Sequence, residues 1–277
     1  APGVGFGINS PSPSAFHPTA FSPVGTGLGR TAFGSAFTEV ARNNDTARIS
    51  YYTPSFNGLT LGVSYAPGNT NVANSGLVDR NAGLSDIFDI SMNYSQTFGN
   101  IDVELSARWG TGDAGTALVF VANPGGLPST AVFQPAPIQP GDPETWAVGA
   151  RMGVAGFTFG GSYAENTTGA LFGIGDNEGW SLGVTYDLAG PWTVGFDTYQ
   201  GEATVSTIAS AGVNVKDEYQ AYQIGAERDL GAGVAWRIYA IQSETSRTSS
   251  ALNAYAPGVS TLSAESTTVG TGIRLNF

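Results

Sequence analysis

Ile101-Asp-Val-Glu-Leu-Ser-Ala-Arg-Trp109 decides the fold. Ile101, Val103, Leu105, Ala107 and Trp109 alternate with Asp102, Glu104, Ser106 and Arg108. A period of two sorts the two sets onto opposite faces of an extended strand. Wound into a helix, the same residues would be mixed around the whole circumference. The stripe is nine residues long, which is what a tilted membrane-spanning strand requires.

The pattern recurs along the chain. Apolar members occupy every second position at Leu59–Tyr65, Phe88–Tyr94, Trp146–Met152, Phe157–Tyr163, Trp180–Tyr186, Trp192–Phe196, Tyr222–Ala226, Trp236–Ala240 and Val269–Phe277. With Ile49 and Tyr51 this makes eleven predicted strands. Short Gly- and Pro-containing turns stand at 54–58, 98–100, 155–156, 189–191 and 231–233. Longer polar stretches are read as loops at 67–86, 111–143, 166–178, 201–216 and 245–266. Short turns at one end and long loops at the other describe an antiparallel up-and-down meander. Within 111–143, Ala117–Ala122 and Thr130–Gln134 are candidates for an extra hairpin. Residues 1–45 differ: they are rich in Gly, Pro, Ser and Phe, with no sustained period, and the patterned region is 46–277.

Composition chooses between a soluble sheet and a membrane one. The 277 residues include 39 glycines, no cysteine and a single lysine, Lys216; only 12% are charged, and the net charge is −11. The charge is too dilute for a charge-driven disordered chain, and glycine is not every third residue, so a collagen is excluded. The longest clean apolar run, Ala117–Ala122, is far too short for a membrane helix. Absence of cysteine excludes disulfides and thiolate metal sites. In a soluble sheet the apolar face is the core and the polar face is wet. Here the polar face is built of Ser, Thr, Gly and Asn with scattered charges. Aromatic residues gather at the stripe ends, among them Tyr65, Tyr94, Phe98, Trp109, Trp146, Tyr163, Trp180, Tyr186, Trp192 and Phe277. Rings with one apolar and one polar end favour membrane–water boundaries. The reading is therefore all-β, a transmembrane antiparallel up-and-down β-barrel with the apolar face toward lipid and the polar face around a lumen. A soluble β-sandwich is the rival.

The segment Arg42-Asn-Asn-Asp-Thr-Ala-Arg48-Ile-Ser-Tyr51-Tyr-Thr-Pro54-Ser-Phe56-Asn-Gly58-Leu-Thr-Leu-Gly-Val-Ser-Tyr65 resembles the general porins of Gram-negative bacteria, especially the alphaproteobacterial type. The end, Val269-Gly-Thr-Gly-Ile-Arg-Leu-Asn-Phe277, is similar to the terminal strand of those porins. The resemblance implies a sixteen-stranded barrel in the bacterial outer membrane, of which eleven strands are visible here. Odd parity then makes 1–45 part of the family's constriction loop, and this chain a C-terminal portion of a porin. A twelfth strand at Gly3–Asn9 and a smaller complete barrel is the alternative, as is a second chain supplying the missing strands. The resemblance further implies a homotrimer, contact with lipid bilayer and lipopolysaccharide, and recognition of Phe277 by the outer-membrane assembly machinery.

The alternation assigns six acids to the inner wall, Asp89, Asp102, Glu104, Asp187, Asp197 and Glu227, against Arg48, Arg108, Arg151, Arg237 and Arg274. Most of the remaining negative charge is read as lying in loops and rims, which implies a wide, weakly cation-preferring pore for ions and small hydrophilic solutes. By resemblance, Arg48 stands in the basic cluster of the constriction, with Arg108 and Arg151 beside it and Glu39 and Asp45 as acidic partners from the loop. The family's acidic Pro-Glu-Phe-Gly-type motif is not seen in 1–45. Trp109, Trp146, Trp180, Trp192, Tyr163 and Phe277 are assigned to the aromatic girdle.

Catalysis needs more than one lone loop histidine, His17, and none is expected. Asp142, Glu144, Asp176, Glu178, Asp217 and Glu218 in loops offer oxygen ligands for Ca2+, but without EF-type spacing; no cofactor is otherwise expected. Net acidity disfavours nucleic acid. A secreted or surface-exposed soluble β-rich adhesin shares the composition. A substrate-selective channel would line its lumen with an aromatic slide; only Tyr52, Tyr199 and Tyr239 are assigned inward, which favours a general channel.

Overall fold

The computed structural model describes residues 47–68, 84–114, 119–121, 130–132, 142–167, 176–206, 214–249 and 260–275. His17, Glu39, Asp45, Phe277 and the whole 1–45 segment lie outside the described residues. Thirteen strands are present: β1 (Ile49–Tyr52), β2 (Leu59–Gly68), β3 (Leu84–Phe98), β4 (Ile101–Ala114), β5 (Val119–Val121), β6 (Thr130–Val132), β7 (Glu144–Val154), β8 (Phe157–Thr167), β9 (Asp176–Asp187), β10 (Trp192–Ser206), β11 (Asn214–Gly231), β12 (Val234–Ser249) and β13 (Thr261–Leu275). Eleven form one sheet in the order β1-β2-β3-β4-β7-β8-β9-β10-β11-β12-β13, each antiparallel to the next. The eleven predicted strands are these eleven. β5 and β6 pair as a separate hairpin inside the long 115–141 connection, at the place the sequence marked for one.

The strands are longer than their apolar stripes. β10 continues to Ser206, β11 begins at Asn214 and β12 reaches Ser249, so much of the predicted 201–216 and 245–266 loops is strand. Alternation of hydrophobicity ends where lipid ends. Backbone pairing does not, because the ladder hydrogen bonds continue wherever the neighbouring strand continues. Glu144, Asp176, Glu178, Asp217 and Glu218, read as loop residues, are strand residues for this reason.

The two faces separate as the alternation predicts. Leu105, Val148, Phe159, Leu182, Phe196 and Ile224 stand exposed on the apolar face, and Val269 on β13 is 79% exposed. Asp89, Ser181, Asp197, Tyr199 and Gln223 are buried on the other. In a soluble sandwich the exposures would be reversed. An irregularity between Ser85 and Phe88 places Asp86 at φ 47 and buries Leu84 and Ile87. This bulge interrupts the simple alternation and was not read from the sequence.

Tight turns close the other end. Asn57-Gly58 and Ala155-Gly156 each take two successive positive φ values, 46 and 85, 52 and 81, the two-residue turns whose twist matches the flanking strands. At Gly58 a Cβ would also fall onto the Ser95 carbonyl oxygen. Gly58→Ala is expected to lower stability by more than ~1 kcal/mol in denaturant titration of the detergent-folded protein. The faces make a second test. Leu105→Arg, on the exposed apolar face, is expected to cost about 2–4 kcal/mol in a lipid-folded sample. Ser106→Arg, on the inner face, is expected to cost much less; equal costs would contradict the lipid assignment.

Candidate functional site: the charged inner wall

Charges of the inner face meet across neighbouring strands. Asp89 on β3 receives Arg108 of β4, with Nη2 at 2.8 Å and Nε at 3.3 Å, and lies 3.6 Å from Nη1 of Arg48 beside β1. Arg151 on β7 pairs with Glu104 on β4, its Cα partner in the register. Arg48, Arg108 and Arg151 thus form a basic run along one wall, held by Asp89 and Glu104. Their side chains are about one quarter exposed and the Asp89 side chain 7%, so solvent screens Asp89 least. Removing Asp89 takes one carboxylate away from both Arg48 and Arg108.

A second cluster stands on the far strands. Glu227 of β11 holds Arg237 of β12 and, at 2.9 Å, Arg274 of β13. Asp102 and Asp187 accept hydrogen bonds from Thr97 and Thr193 near the short turns, away from both clusters. Asp197 lies buried between them. Of the residues assigned to the constriction, the described ones therefore divide: Arg48, Asp89, Arg108, Arg151 and Glu104 come together, and Asp102 does not.

One pair was missed. Arg247 of β12 binds Asp217 of β11 through two parallel hydrogen bonds of 2.6 and 2.7 Å, and Asp217 is wholly buried. The parity of Gln223, carried outward through Ala221 and Tyr219, places Asp217 inward; reading the region as loop hid that signal. Tyr219 is missed for the same reason, and its ring lies 5.7 Å from that of Tyr199. With Asp217, Arg247 and Asp229, which stands opposite inward Ala235 near the short turn, the inner face has eight carboxylates and six guanidiniums among the described residues.

The inward tyrosines lie along the wall rather than across it. A Cβ at Gly62 would meet the Tyr52 ring at 2.8 Å, one at Gly179 the Tyr199 hydroxyl at 2.6 Å, and one at Gly270 would fall onto the Tyr239 ring. Each glycine makes room for a ring from another strand to lie flat.

On the outer face two aromatic rows bound the apolar band. Trp109, Trp146, Tyr163 and Trp180 stand in adjoining register positions toward the long loops. Trp192 and Trp236, with ring centroids 5.8 Å apart, stand near the short turns. On β4 the band from Ile101 to Trp109 spans eight residue steps, roughly 27 Å along the strand.

Beyond the upper row, at the rim, acids stand on the outward face of the strand ends. Glu165, Glu178, Glu202 and Glu218 are consecutive register partners across β8, β9, β10 and β11. Glu244 and Glu265 oppose each other on β12 and β13. All face outward, where they contribute little to the field inside the lumen. Like charges directly opposite one another repel. Lys216 answers two of them, with Nζ 2.9 Å from both Glu202 and Glu218. Trp146 and Tyr163 donate to Glu165 and Glu178. Hydrogen bonds to the two glutamates raise Lys216 to about 12, and the hydrogen bond from Lys216 holds Glu218 below the usual carboxylate range. These groups lie outside the hydrocarbon, past the Trp180 row. Among the described residues no group of three or more His, Asp or Glu is arranged to hold a metal.

The sequence model of the Gram-negative porin family matches residues 4–248. The chain belongs to that family. Its place is the bacterial outer membrane. No curated protein matches the chain. Among solved structures, it is similar to the anion-selective porin of Comamonas acidovorans, at 15% identity and a TM-score of 0.46, over 83% of this chain and 59% of that one. It is similar to OmpT of Vibrio cholerae at 15% identity and a TM-score of 0.45, over 82% and 63% of the two chains. OccAB4 of Acinetobacter baumannii follows at 10% identity and 0.45, over 82% and 52%. This porin chain spans about half to three fifths of the length of those structures.

Lys216→Met is expected to lower stability by about 1 kcal/mol at pH 8. Glu218, whose pKa is depressed in the folded state, contributes its share above the ordinary carboxylate range, and that share is lost as pH falls through the folded value. The mutational effect should therefore shrink below pH 4, as read by thermal unfolding in detergent.

Proposed function

We propose that this porin contributes eleven strands to a water-filled barrel through which ions and small hydrophilic solutes pass by passive diffusion, without catalysis. The observation that carries the reading is the sorting of the two faces: exposed aliphatic side chains outside, and paired guanidiniums and carboxylates inside. β1 and β13 each have one neighbour among the described residues. In the up-and-down order both run the same way, so pairing them directly would be parallel. An odd number of further strands closes the barrel with antiparallel pairs throughout, and sixteen in all fits that parity.

The basic run Arg48, Arg108 and Arg151 marks the narrow, transversely polarised level of the lumen. The near balance of the described inner wall, two carboxylates in excess, supports a weak preference for cations. Trimer formation fits an apolar groove of about 630 Å³ on the lipid face, lined by Leu105, Ala150, Met152, Phe159, Gly161 and Leu182. The outer leaflet with its lipopolysaccharide meets the upper aromatic row, and Phe277 supplies the terminal signal for the assembly machinery.

Planar-bilayer recordings of the protein extracted from outer membranes test this. Stepwise conductance with a small cation-sided reversal potential in a salt gradient is expected; an anion-sided potential would refute the preference, and a buffer-soluble protein without conductance the whole reading. Asp89→Asn, which removes one negative charge beside Arg48 and Arg108, is expected to move the reversal potential toward anions.

A further inference from the structure

The outer face carries charge at both ends of its apolar band, and the two ends differ in sign. Past the upper aromatic row stand Glu165, Glu178, Glu202 and Glu218, with Lys216 bound to two of them. At the other end all five short turns are described. Among the described residues, the outward positions there hold one charged side chain, Arg228 of β11.

Arg228 stands in register between Trp192 of β10 and Trp236 of β12. One strand separates the two indoles, yet their ring centroids are 5.8 Å apart, so they lean together across β11. The guanidinium carbon of Arg228 lies 5.6 Å from the Trp192 ring centroid. An indole face attracts a cation but offers no acceptor to its N–H groups. Arg228 is exposed, and among the described residues no carboxylate pairs with it. Its neighbours in sequence, Glu227 and Asp229, stand on the inner face. Glu227 is held by Arg237 and Arg274, and Asp229 Oδ1 accepts from the Gly231 N–H.

The surroundings select the counter-charge. Tryptophans of a membrane strand sit at headgroup depth, so the donors of Arg228 stand at the level of lipid phosphates. One outward row nearer the membrane centre, Ala226 lies between Val194 and Ile238, which are 37% and 40% exposed. A methyl group between two branched side chains leaves a shallow lane along β11. Beyond it on the same strand Ile224 is 64% exposed. A phosphate with a hydrocarbon chain matches both halves of this place, and a free phosphate matches only the first. A guanidinium grips a phosphodiester through paired N–H groups. A zwitterionic headgroup brings its own cation to that phosphate; an anionic headgroup leaves it to Arg228.

We propose that Arg228, framed by Trp192 and Trp236, seats the phosphodiester of an anionic phospholipid in the leaflet that meets the short turns, with an acyl chain along Ala226. The proposal requires the sheet to lie in the membrane and does not depend on conduction.

The test uses the assembled, detergent-purified porin. It is titrated with palmitoyl-oleoyl-phosphatidylglycerol and, separately, with the phosphatidylcholine of the same chains, and native mass spectrometry counts the bound lipid. Wild type is expected to hold phosphatidylglycerol more tightly. That preference should narrow as ammonium acetate rises from about 50 to about 500 mM. Arg228→Gln keeps a polar side chain and removes the charge. It is expected to weaken phosphatidylglycerol roughly fivefold and leave phosphatidylcholine within about twofold. Lys216→Met, at the opposite end, is expected to leave the preference intact. Equal phosphatidylglycerol affinity in wild type and Arg228→Gln overturns the proposal, as does loss of the preference in Lys216→Met. Should Arg228→Gln fail to assemble, the wild-type salt series decides, and a preference undiminished at high salt overturns the seat. Displacement of the lipid by millimolar inorganic phosphate would also overturn it, as the mark of a free-phosphate site. Lipid preference without bilayer conductance would sink the channel reading and keep the seat; conductance without the preference would do the reverse.

Discussion

The structure depends on one constraint: in lipid, backbone N–H and C=O groups can be satisfied only by each other. A sheet meets that demand by strand pairing, and the eleven strands here pair side by side along nearly their whole lengths. Once pairing is fixed, the period of two does the rest. Every second side chain meets lipid and the others meet the lumen, so a one-residue slip would turn a strand inside out. Scarce charge follows from this. One face must be apolar over the whole membrane band, and what charge remains goes to the lumen or past the aromatic rows.

The inner wall shows what happens to charge in a confined, partly buried place. Guanidiniums and carboxylates arrive from different strands and neutralise each other locally: Asp89 between Arg48 and Arg108, Glu227 between Arg237 and Arg274, Asp217 beneath Arg247. Glycine serves the same space economy. Tyr52, Tyr199 and Tyr239 lie flat because Gly62, Gly179 and Gly270 carry no side chain. Outside, the carboxylate ladder from Glu165 to Glu218 places repulsion where water and counter-ions relieve it.

Much of this was legible in the residues. Ile101–Trp109 and its counterparts revealed the strands, the faces and the order, because period-two alternation is a local property. The short turns at Asn57-Gly58 and Ala155-Gly156 were legible for the same reason. The strand ends were not. Beyond the aromatic rows both faces are polar, the alternation fades, and Asp217, Tyr219 and Glu218 looked like loop. The bulge at Ser85–Phe88 was equally hidden, since an extra residue leaves no compositional mark.

Sequence alone determined that this chain makes a two-faced antiparallel sheet for a membrane, because the faces are written every second residue. Only the tertiary structure decided which charges meet. Arg48 and Asp89 are forty-one positions apart, and Arg274 and Glu227 forty-seven. Their approach depends on register across several strands, and register is set jointly by turns, bulges and neighbours rather than by any one segment.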